Sequence, residues 1–362
     1  MASFPVARQT AASCPRLFSK PAVPGSSEHL DPIPDSSESA SGSEDAPRPS
    51  PLHSSRRRQC HLTGWDAYFD RCEDLTLIDR GGTFRVYTAG SVGPILFCIH
   101  GAGYTGLTWS LIASRLKKEY RVVAFDQRGH GATGTYHDDD FSLETLADDA
   151  VAVWKAACGE AATATVVIGH SMGGAVAVKA ASLGAIRPLE GVAVIDVVEG
   201  TALAALPAMM GILRQRPPEF TALDVAFEWA LTSGVTRNPE AASVSLPSQL
   251  TPPTEENPNL RWITPLAKTQ PYWEGWYRGL SSEFLKLPCA RLLILAGTDR
   301  LDKELTIGQM QGKFKLTLLP VAGHAIHEDE PDSTAEAMQS FLNHFRVGKP
   351  AQLPFGSWGA KR

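Results

Sequence analysis

Ser171 stands in the run Val166-Val167-Ile168-Gly169-His170-Ser171-Met172-Gly173-Gly174-Ala175-Val176-Ala177. A β-branched apolar run, a Gly-x-Ser-x-Gly turn and a small-residue stretch of helical length read as strand, sharp turn and helix. That arrangement projects a serine hydroxyl from a strained backbone. Glycines at 169 and 173 suit a place where strand and helix pass too close for a Cβ. The bare pentapeptide is common by chance; its flanks make it informative. A serine hydroxyl is too weak an acid to attack a carbonyl at neutral pH unaided. It needs an imidazole to take its proton and a carboxylate to hold that imidazole in one tautomer.

On such an elbow the chain order is Ser, acid, His. Among the ten histidines, His324 is best placed because it follows the last strand-like segment, with His327 three residues on as the fallback. His100, His130 and His170 belong to turn motifs and read as scaffold. Three carboxylates compete for the acid: Asp196, after the strand that follows the elbow helix, and Asp299 with nearby Asp302, after the next strand. Spacing does not choose between them. An oxyanion would need two backbone N–H donors. The Met172 amide, directly after Ser171, is one, and the Ala102 amide in His100-Gly101-Ala102-Gly103 is the other.

The elements that must position these residues alternate. Strands are predicted over 75–78 and 83–88, joined through Asp79-Arg80-Gly81-Gly82, then over 95–99, 121–126, 163–168, 191–200, 291–297 and 314–319. Helices are predicted over 109–118, from a Ser142 cap to about 157, after the elbow, and over 332–345. Runs that are apolar on both faces, alternating with helices, imply an α/β fold with a mostly parallel central sheet, helices on both faces and a site at the strands' carboxyl ends. The alternation stops between about 201 and 285, which reads as a helical lid insertion. Residues 248–258 form a proline-rich loop expected to be loose, and Tyr272-Trp273-Glu274-Gly275-Trp276-Tyr277 is either lid core or a peptide-holding groove.

Composition sets the bounds. With 362 residues, 43% hydrophobic, the chain can bury a large core, and residues 63–362 read as one domain behind a disordered Ser/Pro-rich tail over 1–62. A net charge of −5 does not favour nucleic acid, and no apolar run approaches the roughly 20 residues that span a bilayer. Six cysteines without a Cys-x-x-Cys pair point to a reduced, cytoplasmic setting. Arg56-Arg57-Arg58 leaves room for nuclear import, although a solvated linker is the simpler reading.

From about Trp65 onward the chain resembles the protein phosphatase methylesterases, serine hydrolases of the α/β-hydrolase fold. The resemblance lies in the elbow, in Val194-Ile195-Asp196-Val197-Val198-Glu199-Gly200-Thr201, in Leu266-Ala267-Lys268-Thr269 with Tyr272-Trp273-Glu274-Gly275-Trp276, in the run 299–314 containing Thr306-Ile307-Gly308-Gln309-Met310-Gln311-Gly312, and in Gly323-His324-Ala325-Ile326-His327-Glu328-Asp329. It implies a Ser171, Asp196 and His324 triad with no cofactor and no metal. The implied substrate and partner is the protein phosphatase 2A catalytic subunit, whose C-terminal leucine methyl ester would be cleaved. Two departures stand out. Ala102 occupies a place where the family often has glycine, and the loop near Pro252 lacks the long acidic insertion of animal members. A small-molecule carboxylesterase and a non-catalytic phosphatase-binding inhibitor are the competing readings.

Overall fold

The computed structural model describes residues 7–10, 62–159, 163–297 and 301–349. Its centre is a sheet of ten strands. These are β1 Ala7–Thr10, β2 Arg71–Leu77, β3 Gly82–Ala89, β4 Ile95–Ile99, β5 Arg121–Phe125, β6 Gly134–Thr135, β7 Thr165–His170, β8 Leu189–Ile195, and, after the insertion described below, β12 Ala290–Leu295 and β13 Lys315–Leu318. In space the order is β1-β2-β3-β5-β4-β7-β8-β12-β13, with β6 beside β3. From β5 to β13 every neighbour is parallel, whereas β2 and β3 are antiparallel. The inner parallel strands β4, β5 and β7 are buried because crossover helices cover both faces, which is why their sequences do not alternate. The expected α/β architecture is therefore the observed one.

Helices α1 Ser110–Leu116, α2 Leu143–Cys158, α3 Met172–Ser182, α9 Lys303–Met310, α10 Ile326–Asp329 and α11 Pro331–His344 belong to this body. The Ser142 hydroxyl accepts the Thr145 amide at 3.4 Å and caps α2, as its spacing predicts. Ahead of β2, Tyr68 and Phe69 are buried and anchor the start of the body. One strand ends earlier than its apolar run suggests. β8 stops at Ile195, because Asp196 turns into the left-handed region with φ 51° and Glu199 opens the next helix.

Between β8 and β12 lie α4 Glu199–Arg214, β9 Glu219–Phe220, α5 Leu223–Ser233, α6 Pro239–Ser245, β10 Leu250–Thr251, β11 Leu260–Trp262, α7 Trp273–Tyr277 and α8 Leu280–Lys286. The insertion is not purely helical, since β10, β11 and β9 form a small antiparallel sheet over their own cluster of Phe220, Leu246, Leu250 and Leu260. At its end, Leu280 and Phe284 of α8 pack into the main core beside Trp273 and Trp276 of α7. The loop expected to be loose from 248 is tied down at its start. Ser248 and Gln249 are buried, and the Ser248 hydroxyl pairs with Thr105 beneath it.

The tail expected over 1–62 falls mostly outside the described residues. It differs at Ala7–Thr10, which pairs antiparallel with residues 73–76 of β2 because an open sheet edge offers unpaired backbone groups to any extended segment. At the other end Val347 is buried and the Gly348 amide donates to Glu190, so the chain stays attached to the body past α11. No helix among the described residues is long and apolar enough to cross a membrane.

One polar centre ties the hairpin, the 126–131 turn and α2 together. Arg80 Nε donates to Asp149 Oδ1 at 2.6 Å, and Arg128 donates to both carboxylate oxygens at 2.8 and 3.0 Å. The Asp149 side chain is 2% exposed and that of Arg128 5%. Removing the carboxylate would strand two cations, one of them buried. Asp149→Ala should cost about 3–5 kcal/mol, read as a lowered urea midpoint. Asp148→Ala, whose carboxylate is 57% exposed, should shift it little.

Candidate active site

Ser171 sits between β7 and α3 with φ 53° and ψ −124°, outside the region an L residue ordinarily occupies. The glycines around it are there for space. A Cβ on Gly169 would meet the Gly173 carbonyl oxygen at 2.0 Å, and one on Gly173 would meet the carbonyl oxygens of Ile99 and His100 at 2.4 Å. Both obstructions are backbone and cannot swing away. The clash expected from the sequence is thus explicit in the structure.

The hydroxyl of Ser171 lies 3.0 Å from His324 Nε2, and His324 Nδ1 lies 2.8 Å from Asp196 Oδ2. A carboxylate only accepts, so Nδ1 carries the proton and Nε2 presents its lone pair to the serine hydroxyl. The Asp196 side chain is fully buried while that of His324 is half exposed. Its second oxygen accepts the Ala296 amide at 3.1 Å, and its own amide donates to Ile294, so the carboxylate is fixed by the end of β12. Asp302 is used elsewhere. It caps α9 through the Leu305 amide and accepts the Ser281 hydroxyl at 2.5 Å. Asp299 lies outside the described residues.

His324 is held from both sides. Its carbonyl accepts from His170 Nε2 at 2.9 Å, and the preceding Gly323 amide donates to Asp329 Oδ2 at 2.7 Å. Asp329 also accepts the Arg237 amide from the lid at 2.6 Å, which links the lid to the loop that carries His324. His327, the fallback base, is turned away from the serine. It stacks on Trp109 and its Nε2 meets the Thr108 hydroxyl at 2.8 Å, while burial pulls its pKa down to about 3. Beside it, burial pushes Glu328 up to about 7.

The turn histidines are hydrogen-bonding scaffold kept neutral by burial. His130 is pulled down to about 4, and its Nε2 accepts the Gly103 amide at 3.0 Å, so the 126–131 turn supports the loop of Ala102. His100, also held well below its ordinary pKa by burial, accepts the Gln127 amide at 2.9 Å. The Met172 amide opens α3, where no intrahelical acceptor exists. The Ala102 amide donates to no described residue.

The aromatic run of the lid divides its duties. Trp273 and Trp276 are buried, and the Trp276 indole donates to the Phe141 carbonyl at 2.7 Å. Tyr277 instead brings its hydroxyl against Ser171, and burial pushes the phenol up to about 12. Sequence reasoning flagged this cluster without separating the residue that faces the serine. It missed Asp329 altogether. The available signal was its place in the short motif containing His324. Ser171, His324 and Asp196 thus form one continuous hydrogen-bonded chain.

The Alpha/beta hydrolase family profile matches residues 95–337. Protein phosphatase methylesterase 1 of Bos taurus is 41% identical over 339 residues, covering 82% of this chain and 89% of that protein. The human protein of the same name is also 41% identical, with 82% and 88% covered. A Caenorhabditis elegans protein named probable protein phosphatase methylesterase 1 is 42% identical, covering 84% and 83%. Among solved structures, an E-2-(acetamidomethylene)succinate hydrolase superposes with TM-score 0.53 at 20% identity, over 72% of this chain and 96% of that one, a likeness of fold. A marine microorganism esterase does so with TM-score 0.54 at 20% identity, over 72% and 99%. On this likeness this chain belongs to the protein phosphatase methylesterases, hydrolases of the α/β-hydrolase family acting on esters.

Proposed function

We propose that this chain is a serine carboxylesterase that removes the methyl ester from the C-terminal leucine of the protein phosphatase 2A catalytic subunit. The observation that carries the reading is the unbroken hydrogen-bonded chain from Ser171 through His324 to Asp196. The names of the relatives support the choice of a phosphatase ester as substrate.

In this reading Ser171 Oγ attacks the ester carbonyl as its proton passes to His324 Nε2. Asp196 keeps the imidazole oriented and stabilises the imidazolium that forms. The carbonyl oxygen becomes an oxyanion received by the amides of Met172 and Ala102. Because those donors are backbone groups, alanine at 102 serves as well as glycine where the dihedrals allow it. His324 then returns its proton to the methoxy oxygen, and methanol leaves an acyl group on Ser171. A water molecule, deprotonated by His324, attacks that acyl group and frees the peptide carboxylate and the serine.

Ser171→Ala should abolish methanol release from a methylated phosphatase C-terminal peptide, and retention of most of the rate would overturn the assignment. Cleavage of short p-nitrophenyl esters with none of the peptide ester would instead identify a small-molecule carboxylesterase. Asp196→Asn should lower kcat by about 10,000-fold, because the amide favours the wrong imidazole tautomer. A loss below tenfold would return the role to Asp299.

A further inference from the structure

Arg216 follows α4 in the lid, half-buried, and its surroundings are unlike those of the buried arginines. Arg85 and Arg128 each meet a carboxylate, at Asp74 and Asp149. No described carboxylate pairs with Arg216. Its guanidinium carbon lies 3.7 Å from the centroid of the Trp262 ring, and its Nε is buried without a hydrogen-bond partner. Burial pulls its pKa down to about 10, with only the Tyr104 phenol acting against the fall. The Trp262 ring is fixed by its indole donating to the Pro217 carbonyl at 2.8 Å and by edge contacts with Phe220 and Trp229.

Tyr104 locates this cation relative to the chemistry. It directly follows the Ala102-Gly103 loop, and its ring stands edge-on to His170 at 5.3 Å, the histidine that holds the His324 carbonyl. The lid segment of Trp262 continues to Thr264, which donates to the Gly129 carbonyl, and to Leu266, packed at Gly103, while Tyr104 donates to Val235, so the Arg216–Trp262 pair belongs to the part of the lid that rests on the Ala102 loop. Leaving the buried Nε without a partner is costly, and a face-on indole offsets only part of that cost. What the guanidinium lacks is an anion, and its planar fork suits a carboxylate taken in two parallel hydrogen bonds.

We propose that Arg216 and Trp262 form a carboxylate-binding subsite that engages an acidic side chain in the peptide preceding the esterified C-terminal residue. The inference rests on the reading of the substrate as a peptide ester and adds a specificity determinant to it. Acidic tails are thereby preferred over neutral ones of equal length, and the preference weakens as salt screens the pair.

Calorimetric titration tests this with short C-terminal peptide amides ending in leucine, one carrying aspartate before it and one asparagine, on the wild type, Arg216→Ala and Arg216→Lys. The wild type should bind the aspartate peptide roughly tenfold more tightly. Arg216→Ala should bring the ratio to about one, and Arg216→Lys, which keeps charge without the fork, should retain part of it. A wild-type ratio near one, no binding of either peptide, or a ratio that survives Arg216→Ala would overturn the proposal. So would discrimination confined to a neutral peptide with a free terminal carboxylate over its amide, which would mark a site for the product. Failure of the methylesterase reading shows separately, as no methanol from the methyl ester of the aspartate peptide, with the binding ratios intact.

Discussion

Everything at the site depends on the close crossing of α3 over the ends of β7 and β4. Gly169 and Gly173 let the helix start within van der Waals reach of the β4 carbonyls, and no side chain fits in the gap. That crossing forces Ser171 to a positive φ, at a cost of about 1–3 kcal/mol. The strain has a product. The Ser171 hydroxyl is left 3.0 Å from His324 Nε2, and the Met172 amide stands in the first helical turn without an intrahelical acceptor. Asp196, at the end of the adjacent strand, carries the same backbone signature, so strained residues sit on two neighbouring strand ends. Their separation is then fixed by sheet hydrogen bonds rather than by flexible loops.

Around this frame the protein builds hydrogen bonds from histidines that burial keeps neutral. A neutral imidazole donates at one nitrogen and accepts at the other, so it can join two backbone segments inside an apolar interior without burying a charge. His130 connects its own turn to Gly103, and His100 connects the end of β4 to Gln127. His170 connects the elbow to the carbonyl of His324. Only His324 among these is half exposed.

The lid is part of this frame rather than an appendage. Thr264 donates to Gly129, Tyr104 to Val235, and Asp329 accepts amides from both the lid and the His324 loop. A shift of the lid would be felt at the base as well as at the substrate. Tyr277, against the serine hydroxyl, is the most direct of these links.

The sequence by itself determined the parts whose signal is local. Apolar runs of β4, β7 and β12, the Ser142 cap, and the strand-turn-helix context of Ser171 all follow from residue type and spacing, because short-range sterics and burial periodicity act over a few residues. Family-wide motifs pointed further, to Asp196 and His324. Tertiary structure decided what depends on meetings between distant segments. Spacing treated Asp196 and Asp302 alike, and only the packed sheet turns one toward His324 while α9 takes the other as its cap. It separated Tyr277 from the two tryptophans beside it, gave Asp329 its two amides, and left Arg216 on an indole face without a carboxylate. These depend on which groups surround a side chain once the segments have met in the fold, 128 residues apart in the case of Asp196 and His324, and no local propensity encodes that.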